Sequence, residues 1–185
     1  MAAHLISLVP PCFELLDSYA TALEQGWSPD NTRDVSTEQL AALRADSAAF
    51  LASQLDQTGT ITLHDGRVVP KLPGFRHWIS DGTFCGSIGF RHQPGTEALP
   101  PYVLGHIGYA VVPWKRQRGY ATAALRLMLI EAGKVGLARV MITCSDHNVA
   151  SRRIIENADG VLERSDTHPV FPRELQLVFW VPTGT

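Results

Sequence analysis

The stretch Tyr102–Ala132, YVLGHIGYAVVPWKRQRGYATAALRLMLIEA, changes character twice, and the two changes decide the fold. Val103 to Val112 is apolar and β-branched enough for a buried strand. Pro113 cannot continue a sheet ladder and ends it. A turn follows with three cations, Lys115, Arg116 and Arg118, closed by Gly119. From Tyr120 the period becomes helical. Ala121, Ala124, Leu125, Met128, Leu129 and Ala132 recur on one helical face. A strand, a basic glycine turn and a helix aim a row of backbone N–H groups at one spot. The first turn of a helix has unpaired donors and a partial positive charge, so that spot favours a phosphate. Gly119 lets the backbone approach a ligand closely, and Ala121 adds almost no bulk.

The rest of the chain bounds the answer. Its 185 residues point to one domain, residues 1–185, and 45% apolar content is enough for a sizeable core. A net charge of −2 argues against a nucleic-acid-binding surface, so the basic turn is a local feature. Cys12, Cys85 and Cys144 are odd in number and lack metal spacing, which fits reduced thiols and a cytoplasmic protein. No apolar run approaches a membrane span, and the N-terminus lacks a signal-type pattern.

Taken in order, His4–Leu8 reads as a first strand, stopped by Pro10 and Pro11. A helix from Cys12 to Gly26 places Phe13, Leu16, Ala20 and Leu23 on one face. Ser36-Thr37-Glu38-Gln39 is a capping-box pattern for a second helix carrying Leu40, Leu43, Phe50 and Leu51, with Ser47 interrupting that face. Thr60–Pro70 reads as a small hairpin around Asp65-Gly66. Phe75–Ile79 and Phe84–Phe90 are strands joined by Asp81-Gly82, a hairpin signal, and Gln93–Pro101 is a loop. After the central strand and helix, which Gly133 and Gly136 end, come a strand at Arg139–Cys144 and a helix at Asn148–Ala158. That helix turns Ile154 and Ile155 inward. Strands from Gly160 and at Glu174–Val181 close the chain.

Arg116-Gln117-Arg118-Gly119-Tyr120-Ala121 resembles the [Arg/Gln]-x-x-Gly-x-[Gly/Ala] turn of the GNAT superfamily of acyl-CoA N-acyltransferases. The context agrees: Val-Val-Pro before it, a long amphipathic helix after it, then a strand and Asn148. Walker-type and Rossmann phosphate loops fit poorly, since no Gly-Lys-[Ser/Thr] and no G-x-G-x-x-G is present. Within the superfamily the chain looks closest to a little-studied group of predicted acetyltransferases. Their pattern appears here as Gly105–Tyr109, Ile142–Cys144 and Asn148–Arg152. The resemblance implies an α/β (α+β) fold: a mixed, mostly antiparallel sheet of about seven strands, splayed between the fourth and fifth, with about four helices. It implies acetyl-CoA as acyl donor and no metal. The pantetheine arm would lie along the fourth strand and pair with the backbone at Val111 and Val112. The pyrophosphate would sit on the amides of Gln117, Arg118, Gly119, Tyr120, Ala121 and Thr122, with charge from Arg116 and Arg118. Asn148 and Ser151 would contact pantetheine, with helix capping as a competing role for Asn148.

Acetyl transfer needs a neutral amine, a group to take its proton, and stabilisation of the leaving thiolate. Most of the gain comes from holding the reactants together. His106 is the candidate general base. On strict alternation it shares a strand face with the small residues Gly108 and Ala110, and its ordinary pKa suits the task. The competing role is a hydrogen-bonded structural histidine, and a strand bulge would change its facing. Relatives often place a Tyr seven residues after the Asn to protonate the thiolate; here that position is Ile155. Cys144, as a buried thiol, is expected to be inert.

The acceptor is expected to be a primary amine of a small molecule, amino acid or peptide, met by the first helices, the Gln93–Pro101 loop and the segment before the last strand. Glu97, Asp166 and Glu174 are the acids there, with Arg91 and His92 nearby; solvated surface charge is the plainer role for each acid. Neither nucleic acid nor membrane is an expected partner, and a homodimer stays open. Two function classes follow: an N-acetyltransferase, or a non-catalytic acyl-CoA-binding or sensing module, which Ile155 favours.

Overall fold

The computed structural model describes residues 6–63, 65–167 and 173–184. Its elements run β1 (Ser7–Val9), α1 (Leu16–Glu24), α2 (Ser36–Ala45), α3 (Ser47–Leu55), β2 (Thr60–Thr62), β3 (Val68–Pro70), β4 (Gly74–Ser80), β5 (Phe84–Arg91), β6 (Ile107–Val111), α4 (Tyr120–Lys134), β7 (Arg139–Ser145), α5 (Val149–Glu156), β8 (Val161–Thr167) and β9 (Leu175–Pro182). The strands form three sheets, ordered β1-β4-β5-β6, β2-β3 and β7-β9-β8. The first and third account for the seven strands expected from the sequence; the β2-β3 hairpin forms its own sheet, and the described residues hold five α-helices where about four were expected. β6 and β7 are edge strands of different sheets, which is the break implied between the fourth and fifth strands. Of the first expected strand, His4 and Leu5 lie outside the described residues, as does His64 of the hairpin.

The described chain divides into two compact units. One comprises Met1–Asp56, Phe75–Gly89 and Tyr109–Ala124. Its core is aromatic. Tyr19 stacks on Trp78 at 4.6 Å between ring centroids, and Phe84 and Trp27 meet Tyr19 edge-on. Such pairs add about 0.5–1.5 kcal/mol each beyond area burial. A 3-10 turn at Phe13–Leu15 precedes α1 and rotates the buried face. Leu15, Leu16, Tyr19, Ala22 and Leu23 are buried, whereas Phe13, expected on that face, is 61% exposed.

The capping box expected at Ser36 does not form. Val35 is the N-cap and makes no side-chain bond; Asp34 Oδ1 accepts from the Ser36 amide at 2.8 Å. Gln39 instead accepts the Tyr19 hydroxyl with its Oε1. The single helix expected from Ser36 onward is two. Asp46 adopts an extended conformation, and its Oδ1 caps α3 by accepting from the Ala49 amide at 2.9 Å.

The other unit comprises Gln57–Gly74, Phe90–Gly108 and Leu125–Thr185. β9 pairs antiparallel with both β7 and β8, and a bulge interrupts β8 between Leu162 and Arg164. Val140, Ile142 and Cys144 of β7 are buried and alternate with half-buried Met141 and Thr143. Gly133 does not end α4. The helix continues to Lys134 and ends before Gly136, whose φ of 88° is left-handed. At Gly133 a Cβ would stand 2.6 Å from the Gly184 carbonyl oxygen, so that glycine serves close packing. Leu125, Met128, Leu129 and Ala132 are buried as the helical period predicts.

Candidate active site

β6 begins at Ile107, not at Val103. The chain before it is spent on other contacts. The Val103 amide closes a turn onto the Pro100 carbonyl at 2.9 Å, and the Leu104 carbonyl accepts from Thr143 Oγ1 at 2.6 Å. His106 therefore precedes the strand, and strict alternation with Gly108 and Ala110 does not set its direction.

At the other end of β6 the Val112 amide donates to the Cys85 carbonyl at 3.0 Å. Backbone groups alternate sides along a strand, so Val111 and Tyr109 point theirs away from β5. Both outward carbonyls are covered: Arg116 Nε donates to Val111 at 3.1 Å and Asn31 Nδ2 to Tyr109 at 3.5 Å. A 3-10 turn at Pro113–Lys115 follows. Gln117 and Gly119 then take left-handed φ of 60° and 79°. The Gly119 carbonyl accepts the Ala123 amide at 3.0 Å, the first bond of α4. The amides of Ala121 and Thr122 precede that bond, in the first turn of the helix, where the helix itself supplies no acceptor. Arg116, Gln117, Arg118 and Gly119 are exposed, Ala121 and Thr122 half-buried. A Cβ at Gly119 would meet no atom within 4 Å. Open space, leading amides and two exposed guanidinium groups suit an anion.

Lys115 is not part of that set. Its Nζ lies 2.5 Å from Asp81 Oδ2, with the two side chains 17% and 19% exposed. The same oxygen accepts the Tyr120 hydroxyl at 2.7 Å, and Asp81 Oδ1 accepts Thr83 Oγ1 at 2.9 Å. Burial pushes the Asp81 carboxyl up, but hydrogen bonds from Lys115, Tyr120, Thr83 and Cys85 outweigh it and hold the group far below the usual carboxylate range. Asp81 was legible in the sequence only as a hairpin residue, and nothing in its local pattern signalled the link to Lys115 and Tyr120.

His106 is fully buried. Its amide donates to the Met141 carbonyl at 2.7 Å, and its Nδ1 accepts the Met141 amide at 2.9 Å. The ring proton is then on Nε2, which is buried with no hydrogen-bond partner among the described residues. Burial first, and the Arg91 guanidinium after it, lower the imidazole to about 4. In this state the ring offers a donor, whereas a general base needs a free lone pair.

Asn148 is the N-cap of α5, its Oδ1 accepting the Ser151 amide at 3.0 Å. Its Nδ2 is not used by that bond. Ser151 is half-buried. Ile155 is fully buried, with Gly160 packed so close that a Cβ there would stand 2.5 Å from Ile155 Cγ2. No acid stands at that position. Burial pushes the Cys144 thiol up to about 11, so it is a protonated thiol at neutral pH.

The three acids considered for the acceptor all have partners. Glu97 accepts from Arg139 Nε at 2.9 Å, Asp166 from Arg164 Nε at 2.8 Å and Glu174 from Ser145 Oγ at 2.8 Å. Arg139 also stacks on Trp180, 4.2 Å from the ring centroid, so it ties the 93–101 loop to β7 and β9. Arg91 Nε donates to the Gly105 carbonyl at 2.7 Å, and His92 stacks on Phe90. A groove of about 390 Å³ lies between residues 98–104 and the Met141, Thr143, Gln176, Val178 and Trp180 face of the β7-β9-β8 sheet, with Asp166 and Arg164 at its border. The segment 168–172, part of the stretch expected to meet the acceptor, lies outside the described residues. Among the described residues no group of His, Cys, Asp and Glu could hold a metal ion, and no helix is long and apolar enough to cross a membrane.

Strand, glycine turn and helix N-terminus have the arrangement of an anion-binding turn. Residues 28–161 match the family described as "Acetyltransferase (GNAT) domain", and the chain belongs to that family. It is thus an acyltransferase by family. No curated protein sequence matches the chain. Solved structures share its fold. The Microcin C7 self immunity acetyltransferase MccE, in complex with acetyl-CoA and AMP, is 14% identical with a TM-score of 0.62, covering 96% of this chain and 92% of that one. RimJ of Mycobacterium smegmatis, in complex with CoA-disulfide, is 18% identical with a TM-score of 0.61, over 96% and 81%. The Salmonella typhimurium acetyltransferase that modifies the N-terminal serine of ribosomal protein L7/L12 is 12% identical with a TM-score of 0.63, over 97% and 95%. At such identities the likeness carries the fold alone.

Proposed function

We propose that this chain transfers an acetyl group from acetyl-CoA to a primary amine by direct attack within a ternary complex, and that residues 1–185 act as one catalytic domain. The observation that carries this is the turn after β6: the leading amides of α4, the left-handed Gly119 and the exposed Arg116 and Arg118. Acetyl-CoA supplies the acyl group and a thiolate leaving group. The chain's part is to seat the phosphates on Gln117–Thr122, to pair pantetheine with the outward backbone of Val111 and with Val112's neighbourhood, and to meet it with Asn148 Nδ2 and Ser151. Arg116 Nε must release or share the Val111 carbonyl as that pairing forms.

The acceptor class is a primary amine of a small molecule, an amino acid or a polypeptide N-terminus. The last is supported by the fold likeness to the enzyme that modifies an N-terminal serine. The free thiols of Cys12, Cys85 and Cys144 suit a reducing compartment, the cytoplasm. His106 remains a proposed catalytic group on one condition: Nδ1 must leave the Met141 amide, either to take the amine's proton itself or to receive the ring proton and free Nε2 for that task. Buried Ile155 favours a second reading, a module that binds acyl-CoA without turnover.

Calorimetric titration with acetyl-CoA, beside thiol release over a panel of amines and N-terminal peptides, tests both readings. Binding with thiol release supports the transferase. Binding without release for any acceptor supports the module, and no binding at millimolar acetyl-CoA rejects both.

A further inference from the structure

We propose that Asp81, at the β4–β5 turn, is a positioning residue for the phosphate-binding turn, clamping its two ends through Lys115 and Tyr120. This rests on the cofactor site proposed above. The turn between Lys115 and Tyr120 is exposed and contains both left-handed residues, Gln117 and Gly119. Amides cradle an anion more tightly when their directions are fixed before the anion arrives, because less ordering is left to binding. Here the ends are fixed by one carboxylate oxygen. Asp81 Oδ2 takes Lys115 Nζ at 2.5 Å from the side before the turn and the Tyr120 hydroxyl at 2.7 Å from the first residue of α4. Asp81 is itself held: its Oδ1 accepts the Thr83 hydroxyl at 2.9 Å and the Thr83 amide at 3.3 Å. Lys115 Nζ reaches Thr83 Oγ1 as well, at 3.3 Å. Tyr120 is 3% exposed, so its ring leaves the hydroxyl little freedom.

The clamp also divides the charge. Lys115 is neutralised by Asp81, which leaves Arg116 and Arg118 as the turn's cations facing solvent. Positioning and electrostatics therefore predict opposite signs for one substitution. Removing a carboxylate and freeing a lysine beside an anion site should, by Coulomb's law alone, tighten an anion. Loss of a clamp should weaken it.

The test is coenzyme A affinity by calorimetry for the wild type, Asp81→Asn and Tyr120→Phe, with amide hydrogen exchange of residues 117–122 followed in each free protein. Asp81→Asn is expected to weaken coenzyme A roughly tenfold, the order of one charge-assisted hydrogen bond, and Tyr120→Phe by a smaller factor in the same direction. Exchange at residues 117–122 should quicken in both variants while β7 and β9 keep wild-type protection. Tyr120→Phe removes one oxygen and no charge, so it carries the test should Asp81→Asn fail to fold. Unchanged or tighter coenzyme A in the variants, with a binding wild type, overturns the positioning role alone. A wild type that binds no coenzyme A overturns the cofactor site and this role with it.

Discussion

His106 and Met141 exchange two hydrogen bonds: the His106 amide donates to the Met141 carbonyl at 2.7 Å, and the Met141 amide donates to His106 Nδ1 at 2.9 Å. The second is a side-chain bond standing where a neighbouring strand's carbonyl would. β7 is an edge strand, and an edge leaves backbone donors to be satisfied some other way. The imidazole does this for Met141 only while Nδ1 keeps its lone pair.

A pH dependence of stability follows. The folded ring sits at about 4, below its ordinary 6.5. Between those values the unfolded chain binds more protons, so stability rises with pH. The contribution is complete above about pH 6.5 and is lost as pH falls through about 4, on the order of 3 kcal/mol for this buried ring. Thermal midpoints from pH 7 to pH 4 are expected to fall for the wild type. His106→Asn, whose Oδ1 can accept the Met141 amide and does not titrate in this range, should lack that part of the fall. Equal pH slopes for the two proteins would remove His106 as its source.

Variants of His106 also address catalysis. If the ring takes the amine's proton, His106→Asn and His106→Gln should both lower kcat by about 10²–10⁴ with coenzyme A affinity unchanged, and the acidic limb of kcat/KM should lose an inflection. The engaged Nδ1 gives the structural role a distinct signature: His106→Asn active and folded, His106→Ala unstable because the Met141 amide is orphaned at the β7 edge. Wild-type turnover by His106→Asn with any acceptor would place the base elsewhere.

Local chemistry was legible where one residue decides its own conformation. The period of α4 gave Leu125, Met128, Leu129 and Ala132 as its buried face, and Gly119 closes the basic turn ahead of the helix as read. The reading slipped where two patterns compete over a few residues. Ser36 and Gln39 spell a capping box, but burying Tyr19 calls for a partner for its hydroxyl, and Gln39 supplies it. Asp46 sits mid-run among good helix formers, yet an aspartate that bonds the third amide ahead starts a new helix there. The β6 start slipped for a tertiary reason: Val103 and Leu104 are strand-like in type, but their backbone is used by Pro100 and Thr143. At the site, the glycine and arginines of the turn were visible in one window of sequence. The Asp81–Lys115 and Glu97–Arg139 pairs join residues 34 and 42 positions apart and have no such window.

Substitution of Gly119 tests the phosphate turn. Its φ of 79° strains any β-branched residue, so Gly119→Val mixes backbone strain with blocked approach. Gly119→Asn tolerates the left-handed region and adds bulk where a Cβ meets no protein atom within 4 Å. The Asn variant is expected to fold with a near wild-type thermal midpoint and to bind coenzyme A roughly tenfold or more weakly, the cost of one displaced charge-assisted contact. Wild-type affinity in Gly119→Asn would move the pyrophosphate away from this turn.

Asn148 holds two duties that substitution can separate. Its Oδ1 caps α5 through the Ser151 amide, while the proposed pantetheine contact falls to Nδ2. Asn148→Asp keeps an oxygen for the cap and puts a negative charge at a helix N-terminus, where the dipole favours it. It removes the donor and adds a charge, and uncharged pantetheine reports the first apart from repulsion of the phosphates. Asn148→Ala removes cap and donor together and should cost about 1 kcal/mol of stability. The expected pattern is therefore crossed. Asn148→Asp keeps or slightly raises the thermal midpoint but weakens coenzyme A severalfold. Asn148→Ala lowers both. A pantetheine fragment without phosphates should show the same loss, since the contact concerns the arm and not the pyrophosphate, whereas Gly119→Asn should spare that fragment. Calorimetry with coenzyme A and with pantetheine, beside melting curves for both variants, reads all of this. If Asn148→Asp binds coenzyme A as the wild type does, Asn148 is a cap and nothing more, and the arm is held by the backbone of β6 and by Ser151.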